Sequence, residues 1–209
     1  MLFQGLPMLD AHIRPFIDGP LDRAGKRLAE IGVSANAVTL AGFAIGMLAV
    51  PAIAGQAYLL GLALTLCNRL ADGLDGAVAR ARGPSDLGGY LDIVLDFIFY
   101  SAVAFSFSLA RPENALWSAL LLFSFMGTGS SFLAYAILAA KRGLTTRIRG
   151  SKSLYYLGGL TEGSETIIAF VLFCLFPSAF PVLAAVFSAM CWITTVSRIL
   201  AAYRSFRRN

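Results

Sequence analysis

The sequence is poor in charge. Only 14% of its 209 residues are Asp, Glu, Lys or Arg, where a soluble domain carries roughly a quarter. Hydrophobic residues make up 57%, and the mean hydropathy is +0.72. They fall in long blocks rather than short alternating runs. That argues against a soluble domain, whose large apolar core would need more polar surface to cover it. Membrane spans of about 20 apolar residues each fit instead. Cysteine is scarce: Cys67, Cys174 and Cys191 lie inside apolar blocks in no metal-binding spacing and read as buried small hydrophobes. The one histidine, His12, falls in a polar segment and reads as solvated. Internal repeats and low-complexity tracts are lacking. No cleavable signal peptide is expected, because the opening of the chain is polar and carries Arg14, Arg23, Lys26 and Arg27.

The charge that is present is unevenly placed. The net charge is +5, and the basic residues stand at the ends of apolar blocks. Membrane orientation and anionic lipid account for them better than nucleic acid does. Residues 1–7 read as the scar of a protease site, with Met8 as the natural start. Residues 8–33 read as an amphipathic segment on the membrane surface, broken at Gly19-Pro20. Residues 34–209 read as an all-α domain of six transmembrane helices, with Ser34 as a plausible N-cap. The spans are placed at 35–55, 57–82, 87–110, 115–140, 154–176 and 182–203, with a turn at Gly83-Pro84-Ser85. On this map 14 of the 17 Lys and Arg fall on one side. Both termini are therefore expected in the cytoplasm.

Four aspartates interrupt two consecutive spans. An ionised group within a span costs several kcal/mol unless paired or hydrated. At about 100° per residue, Asp72 and Asp75 lie about 60° apart on one helix face, and Gly76 and Ala79 share it. Asp92 and Asp96 stand one turn apart on the next span, with Gly88 on the same stripe. A tight turn joins the two spans, so they are expected to be neighbours, with the acids converging near the cytoplasmic surface. Four converging carboxylates need positive charge. Arg80 and Arg82 are too few and too far toward water, whereas two divalent cations would balance them. Two-metal sites are typical of phosphoryl chemistry. The bland alternatives are acid–base pairs sealed in the bundle, and Gly and Ala that merely allow close helix packing.

The stretch Asp72-Gly-Leu-Asp75-Gly76-Ala-Val-Ala79-Arg80, followed by Gly88, Asp92 and Asp96, resembles the hallmark of the CDP-alcohol phosphotransferase family. Every fixed position of D-x-x-D-G-x-x-A-R and G-x-x-x-D-x-x-x-D is present. The spacer, Ala81 to Leu87, is one residue shorter than the family's usual one. Ser34-Ala35-Asn36-Ala37-Val38-Thr39 resembles the family's T-P-N-x-x-T, with Ala35 in place of Pro. The resemblance implies transfer of a substituted phosphate from a CDP-linked donor to an alcohol, with release of CMP. It implies Asp72, Asp75 and Asp92 as ligands of two Mg²⁺ or Mn²⁺ ions, and Asp96 as a further ligand, the general base, or both. Asn36, Thr39, Asp72, Gly76, Ala79, Arg80 and Gly88 would face the nucleotide. Lys141, Arg142, Arg147, Arg149 and Arg198 would serve an acceptor phosphate, while positive-inside topology also explains the loop residues. Glu162 and Glu165, expected inside the fifth span, are read either as acceptor-binding groups or as structural partners of Arg198. By analogy the donor is CDP-diacylglycerol, the protein is a homodimer, and the location is a prokaryotic inner membrane. CDP-choline or CDP-ethanolamine with a diacylglycerol acceptor is an alternative. A small ion-coupled transporter and an inactive scaffold are rival readings, and neither needs this motif intact.

Overall fold

Ser34 opens the bundle: its Oγ accepts the Ala37 N–H at 3.2 Å, capping a helix that starts at Ala35. The structure, a computed structural model, describes residues 9–143 and 160–207, with side chains from residue 18 onward. Eight α-helices are described: α1 (Leu9–Glu30), α2 (Ala35–Met47), α3 (Ala49–Ala54), α4 (Tyr58–Arg82), α5 (Asp86–Ala110), α6 (Ala115–Lys141), α7 (Gly163–Leu175) and α8 (Phe180–Phe206). No strand occurs among the described residues. Four segments are long and apolar enough to cross a membrane: Ala35–Ala54, Asp86–Ala110, Pro112–Lys141 and Pro177–Phe206. Their outward faces expose large apolar side chains such as Leu116, Phe123, Met126 and Val182. In water that would be an aggregation hazard; in a bilayer it is the lipid-facing surface. The protein is an all-α integral membrane protein.

Local chemistry explains the ends and the breaks. Pro51 has no N–H to give the Met47 carbonyl, so the first apolar segment breaks at Leu48 into α2 and α3 instead of running straight from 35 to 55. Gly83, at φ 98°, turns the chain after α4. Ser85 then caps α5, its Oγ accepting the Gly88 N–H at 3.0 Å. At α7, Glu162 and Glu165 form a reciprocal capping box. Glu162 therefore sits at the N-cap rather than inside the span. The backbone just before it is drawn away from helix, because the Thr161 N–H donates to Thr194 Oγ1 on α8 at 3.0 Å.

Three further expectations are corrected. Helix α1 continues through Gly19-Pro20 without a break. It is carried by packing on α4, where Gly25 sits so close to Ala77 that an added Cβ would come within 2.6 Å of the Ala77 Cβ. An Asp22–Arg80 ion pair at 2.6 Å ties the same two helices. The described part of α7 has 13 residues, about 20 Å of helix and short of a full crossing. Cys67 is exposed on the outer surface of α4 rather than buried. Residues 1–7, read above as a protease-site scar, and residues 144–159 lie outside the described residues.

The core is aromatic and gathers around the C-terminal half of α5. Phe107 stacks on Phe180 at 4.4 Å between ring centroids, and Phe173 meets Phe180 edge-on at 5.1 Å. Phe99, Phe107, Phe170, Phe173 and Phe180 are fully buried. This cluster joins α5, α7 and α8 at the end away from the Gly83–Ser85 turn, and leaves the turn-proximal end to polar residues. Because Gly25 admits no side chain against Ala77, Gly25→Ala should cost about 1–3 kcal/mol of stability. A thermal melt in detergent would show it, and an unchanged midpoint would mean that α1 is not docked on α4 as described.

Candidate active site

The α4–turn–α5 hairpin carries the aspartates, yet its two helices make few backbone approaches to each other. They are not the packed neighbours that the short turn suggested. Instead α2 packs against both, and the acidic side chains meet in the cleft that remains. Thr39, Gly42 and Phe43 line it from α2; Asn68, Arg69, Asp72 and Asp75 from α4; Asp92, Leu95 and Asp96 from α5. All four aspartates thus share one cleft.

They are not equivalent. Asp72, Asp92 and Asp96 each offer a carboxylate oxygen within 4.8 Å of the others. Ligand oxygens on opposite sides of a divalent cation stand roughly 4–5 Å apart, since metal–oxygen distances run about 2.0–2.5 Å. The three oxygens therefore fit one such ion. Asp75 lines the same cleft but is engaged elsewhere: Thr39 Oγ1 lies 2.6 Å from Asp75 Oδ2 and 3.0 Å from the Ala35 carbonyl. Its single proton goes to one or the other. Hard oxygen donors with no sulfur or imidazole among them suit Mg²⁺ or Mn²⁺.

The small residues of the motif differ in the space around them. A Cβ on Gly76 would meet only the Arg80 guanidinium, at 3.4 Å. One on Gly88 would lie 3.1 Å from Asn36 Oδ1 and 3.1 Å from Ser85 Oγ, which brings Asn36 to the entrance of α5. Ala79 is half-buried one turn before the end of α4. Arg80 points instead to α1, where Asp22 holds it. Lys141 and Arg142 are exposed at the C-terminal end of α6, with Arg142 over the Phe206 ring at 4.8 Å. Arg147 and Arg149 lie outside the described residues. Arg198 is buried between α6 and α8, donating to the Thr128 carbonyl at 3.1 Å. The Glu165 carboxylate accepts from the Glu162 N–H and from Ser164 Oγ, each at 3.1 Å, as a helix cap does.

Of the cleft residues that the sequence left without a role, Arg69 is the one that carries charge. Arg69 donates to Asp96 Oδ1 at 2.7 Å and lies 3.7 Å from Asp72 Oδ2. The signal for it was available: an arginine within a span, one helical turn before Asp72. It also means that an acid–base pair and a site able to hold a metal coexist here, rather than excluding each other.

Comparison with known proteins settles the family. The sequence pattern of CDP-alcohol phosphatidyltransferase matches residues 32–200. The chain belongs to the CDP-alcohol phosphatidyltransferase family. This makes it a transferase, and the match spans every helix that lines the cleft. Among curated proteins it is 52% identical over 201 residues to the inner membrane protein YnjF of Escherichia coli, covering 96% of this chain and 98% of that one. It is 31% identical over 191 residues to the archaetidylinositol phosphate synthase of Pyrococcus horikoshii, covering 91% and 94%. Among solved structures, the phosphatidylinositol phosphate synthase PgsA1 of Mycobacterium tuberculosis shares the fold. Its form with CDP-DAG bound matches with a TM-score of 0.70 at 21% identity, over 88% of this chain and 93% of that one. Its complex with manganese and citrate matches with a TM-score of 0.69, over 89% and 88%.

In this family member the cleft depends on the close approach of α2 to α4. A Cβ on Gly46 would fall 2.8 Å from the Cβ, Cγ and Nδ2 atoms of Asn68. Gly46→Ala should therefore push Asn68 aside and lower stability by about 1–3 kcal/mol, read as a lower unfolding midpoint in detergent. A midpoint equal to wild type would show that Asn68 yields freely.

Proposed function

We propose that the protein transfers a phosphatidyl group from CDP-diacylglycerol to a hydroxyl of a small polar acceptor, releasing CMP. The observation that carries this reading is the three-carboxylate cluster within 4.8 Å, formed by residues of a complete family motif. Asp72, Asp92 and Asp96 would hold a divalent cation, and Asp75, released by Thr39, would help hold a second. Bound Mg²⁺ or Mn²⁺ would supply charge neutralisation for the diphosphate and stabilise the CMP leaving group.

The chain's own residues do the rest. Asp96 is the general base. It takes the acceptor proton as the alcohol oxygen bonds to the phosphatidyl phosphorus and the bond to the CMP oxygen breaks. A positioned base of this kind contributes roughly 10²–10⁴-fold. Gly76, Ala79 and Gly88 leave room for the nucleotide, with Asn36 and Thr39 as hydrogen-bonding groups beside it. Arg198, with Lys141 and Arg142 at the end of α6, would receive an acceptor phosphate. Two relatives named as inositol phosphate lipid synthases support a phosphorylated polyol as acceptor. The kinship with an inner membrane protein supports a bacterial inner membrane. The basic residues at the turn-side helix ends support a cytoplasmic site.

The test is CMP release from CDP-diacylglycerol in detergent with Mg²⁺ or Mn²⁺. The acceptors to try are inositol phosphate, inositol, glycerol phosphate and serine, with the lipid product identified by mass. Turnover with inositol phosphate is expected, and chelation with EDTA should stop it. Absence of CMP release with every acceptor would overturn the proposal. Asp96→Asn should lower kcat by about a hundredfold or more, and a variant with full turnover would remove Asp96 from the role of base.

A further inference from the structure

We propose that Arg69 is a positioning residue. It is a fixed internal cation that sets the place of the Asp96 carboxylate and lowers the charge that metal ions find in the cleft. The proposal rests on the divalent-cation reading above and extends it to a residue outside the motif.

Three observations support it. Arg69 is locked. Its side chain is 7% exposed, against 35% for Asp72 and 29% for Asp96, so it forms the floor of the cleft rather than its wall. Its Nε and Nη2 both donate to Asn68 Oδ1, the first at 2.8 Å. Nη1 donates to the Tyr100 hydroxyl at 2.9 Å and Nη2 to Asp96 Oδ1 at 2.7 Å. The guanidinium lies 5.0 Å from the centroids of both the Phe99 and Tyr100 rings. A planar fork held on so many sides has no rotamer to escape to.

The groups that hold Arg69 are themselves held. Asn68 donates to the Gly42 carbonyl of α2 at 2.9 Å, and only a glycine at position 46 lets it sit there. A chain of contacts thus runs from the glycine face of α2 through Asn68 and Arg69 to Asp96. Tyr100, one turn after Asp96 on α5, closes the loop by accepting from Arg69 and facing Asp96 Oδ2 at 3.5 Å.

Charge supplies the third observation. The cleft holds four carboxylates, and a fixed guanidinium among them cuts the net negative charge by one. Part of the repulsion is thereby relieved before any ion arrives, and the attraction for ions is weakened by the same charge. Asp96 Oδ1 accepts from Arg69 Nη2 at 2.7 Å, which restrains the carboxylate. The fork geometry, not the charge alone, keeps it in place.

Charge and geometry separate in two variants, read by Mn²⁺ binding to the intact detergent-solubilised protein using electron paramagnetic resonance. Arg69→Gln removes the charge. It should bind Mn²⁺ about tenfold more tightly than wild type, with a broadened bound spectrum because Asp96 has lost its anchor. Arg69→Lys keeps the charge but not the fork. Its Mn²⁺ affinity should stay within about threefold of wild type, with the spectrum broadened in the same way. A structural role alone would weaken binding in both. Unchanged or weaker Mn²⁺ binding by folded Arg69→Gln would overturn the proposal, as would a wild-type line shape in Arg69→Lys. If Arg69→Gln does not fold, Arg69→Lys decides by itself: a broadened spectrum at near wild-type affinity sustains the proposal, and a wild-type spectrum ends it. Wild-type protein that binds no Mn²⁺ would overturn the metal reading itself, an outcome distinct from either variant result.

Discussion

Mutual repulsion among four carboxylates in one cleft of a membrane-embedded bundle is the constraint around which this fold is arranged. Coulomb energies grow as the surroundings become less polar, so acids that would be indifferent neighbours in water must be balanced here. The protein answers with several devices. Thr39 supplies a hydroxyl to Asp75, and Arg69 supplies a permanent positive charge to Asp96 and Asp72. What remains, three oxygens within 4.8 Å of one another, is a geometry that attracts a cation.

Such a site cannot hold a bundle together, and the structure divides the labour. Stacked and edge-on phenylalanines around Phe107 and Phe180 join α5, α7 and α8 at the far end. At the polar end, helices approach through glycine: Gly25 of α1 on α4, and Gly42 and Gly46 of α2 on α4. Lipid is as apolar as a leucine side chain, so close van der Waals contact and interhelical hydrogen bonds must supply association there. The two glycines of α2 also set how far α2 stands from the acids.

Much of this was legible in the sequence for a physical reason. A carboxylate within a span is costly, so its presence is informative, and helical spacing states which acids share a face. The turn at Gly83 and the cap at Ser85 were equally open to reading, since both answer local backbone needs. Other features depend on tertiary contacts. That α1 passes through Gly19-Pro20 reflects its docking on α4, which no local signal contains. Glu162 and Glu165, acidic within an apolar stretch, read either as acceptor-binding groups or as structural ones. Their capping box is visible only once the Thr161–Thr194 bond shows where the helix begins. Pro51 carries a local signal for the break at Leu48, which a single span placed over 35–55 leaves unused. Arg69 was visible as a charge inside a span, but its pairing with Asp96 crosses from α4 to α5 and follows from packing.

The one-residue shortening between Arg80 and Gly88 can be judged by depth. At about 1.5 Å per residue, Asp75 lies about 12 Å back along α4 from Gly83, and Asp92 about 11 Å along α5 from Ser85. Asp72 and Asp96 each lie about 16 Å from the same two points. The acids thus stand in two matched layers measured from the turn, and Arg69 one helical turn deeper on α4. A deletion in the turn itself leaves these layers level, because depth is counted along each helix from its own end. A deletion within the first turns of α5 would shift Asp92 and Asp96 together by about 1.5 Å and turn them about 100° from the cleft.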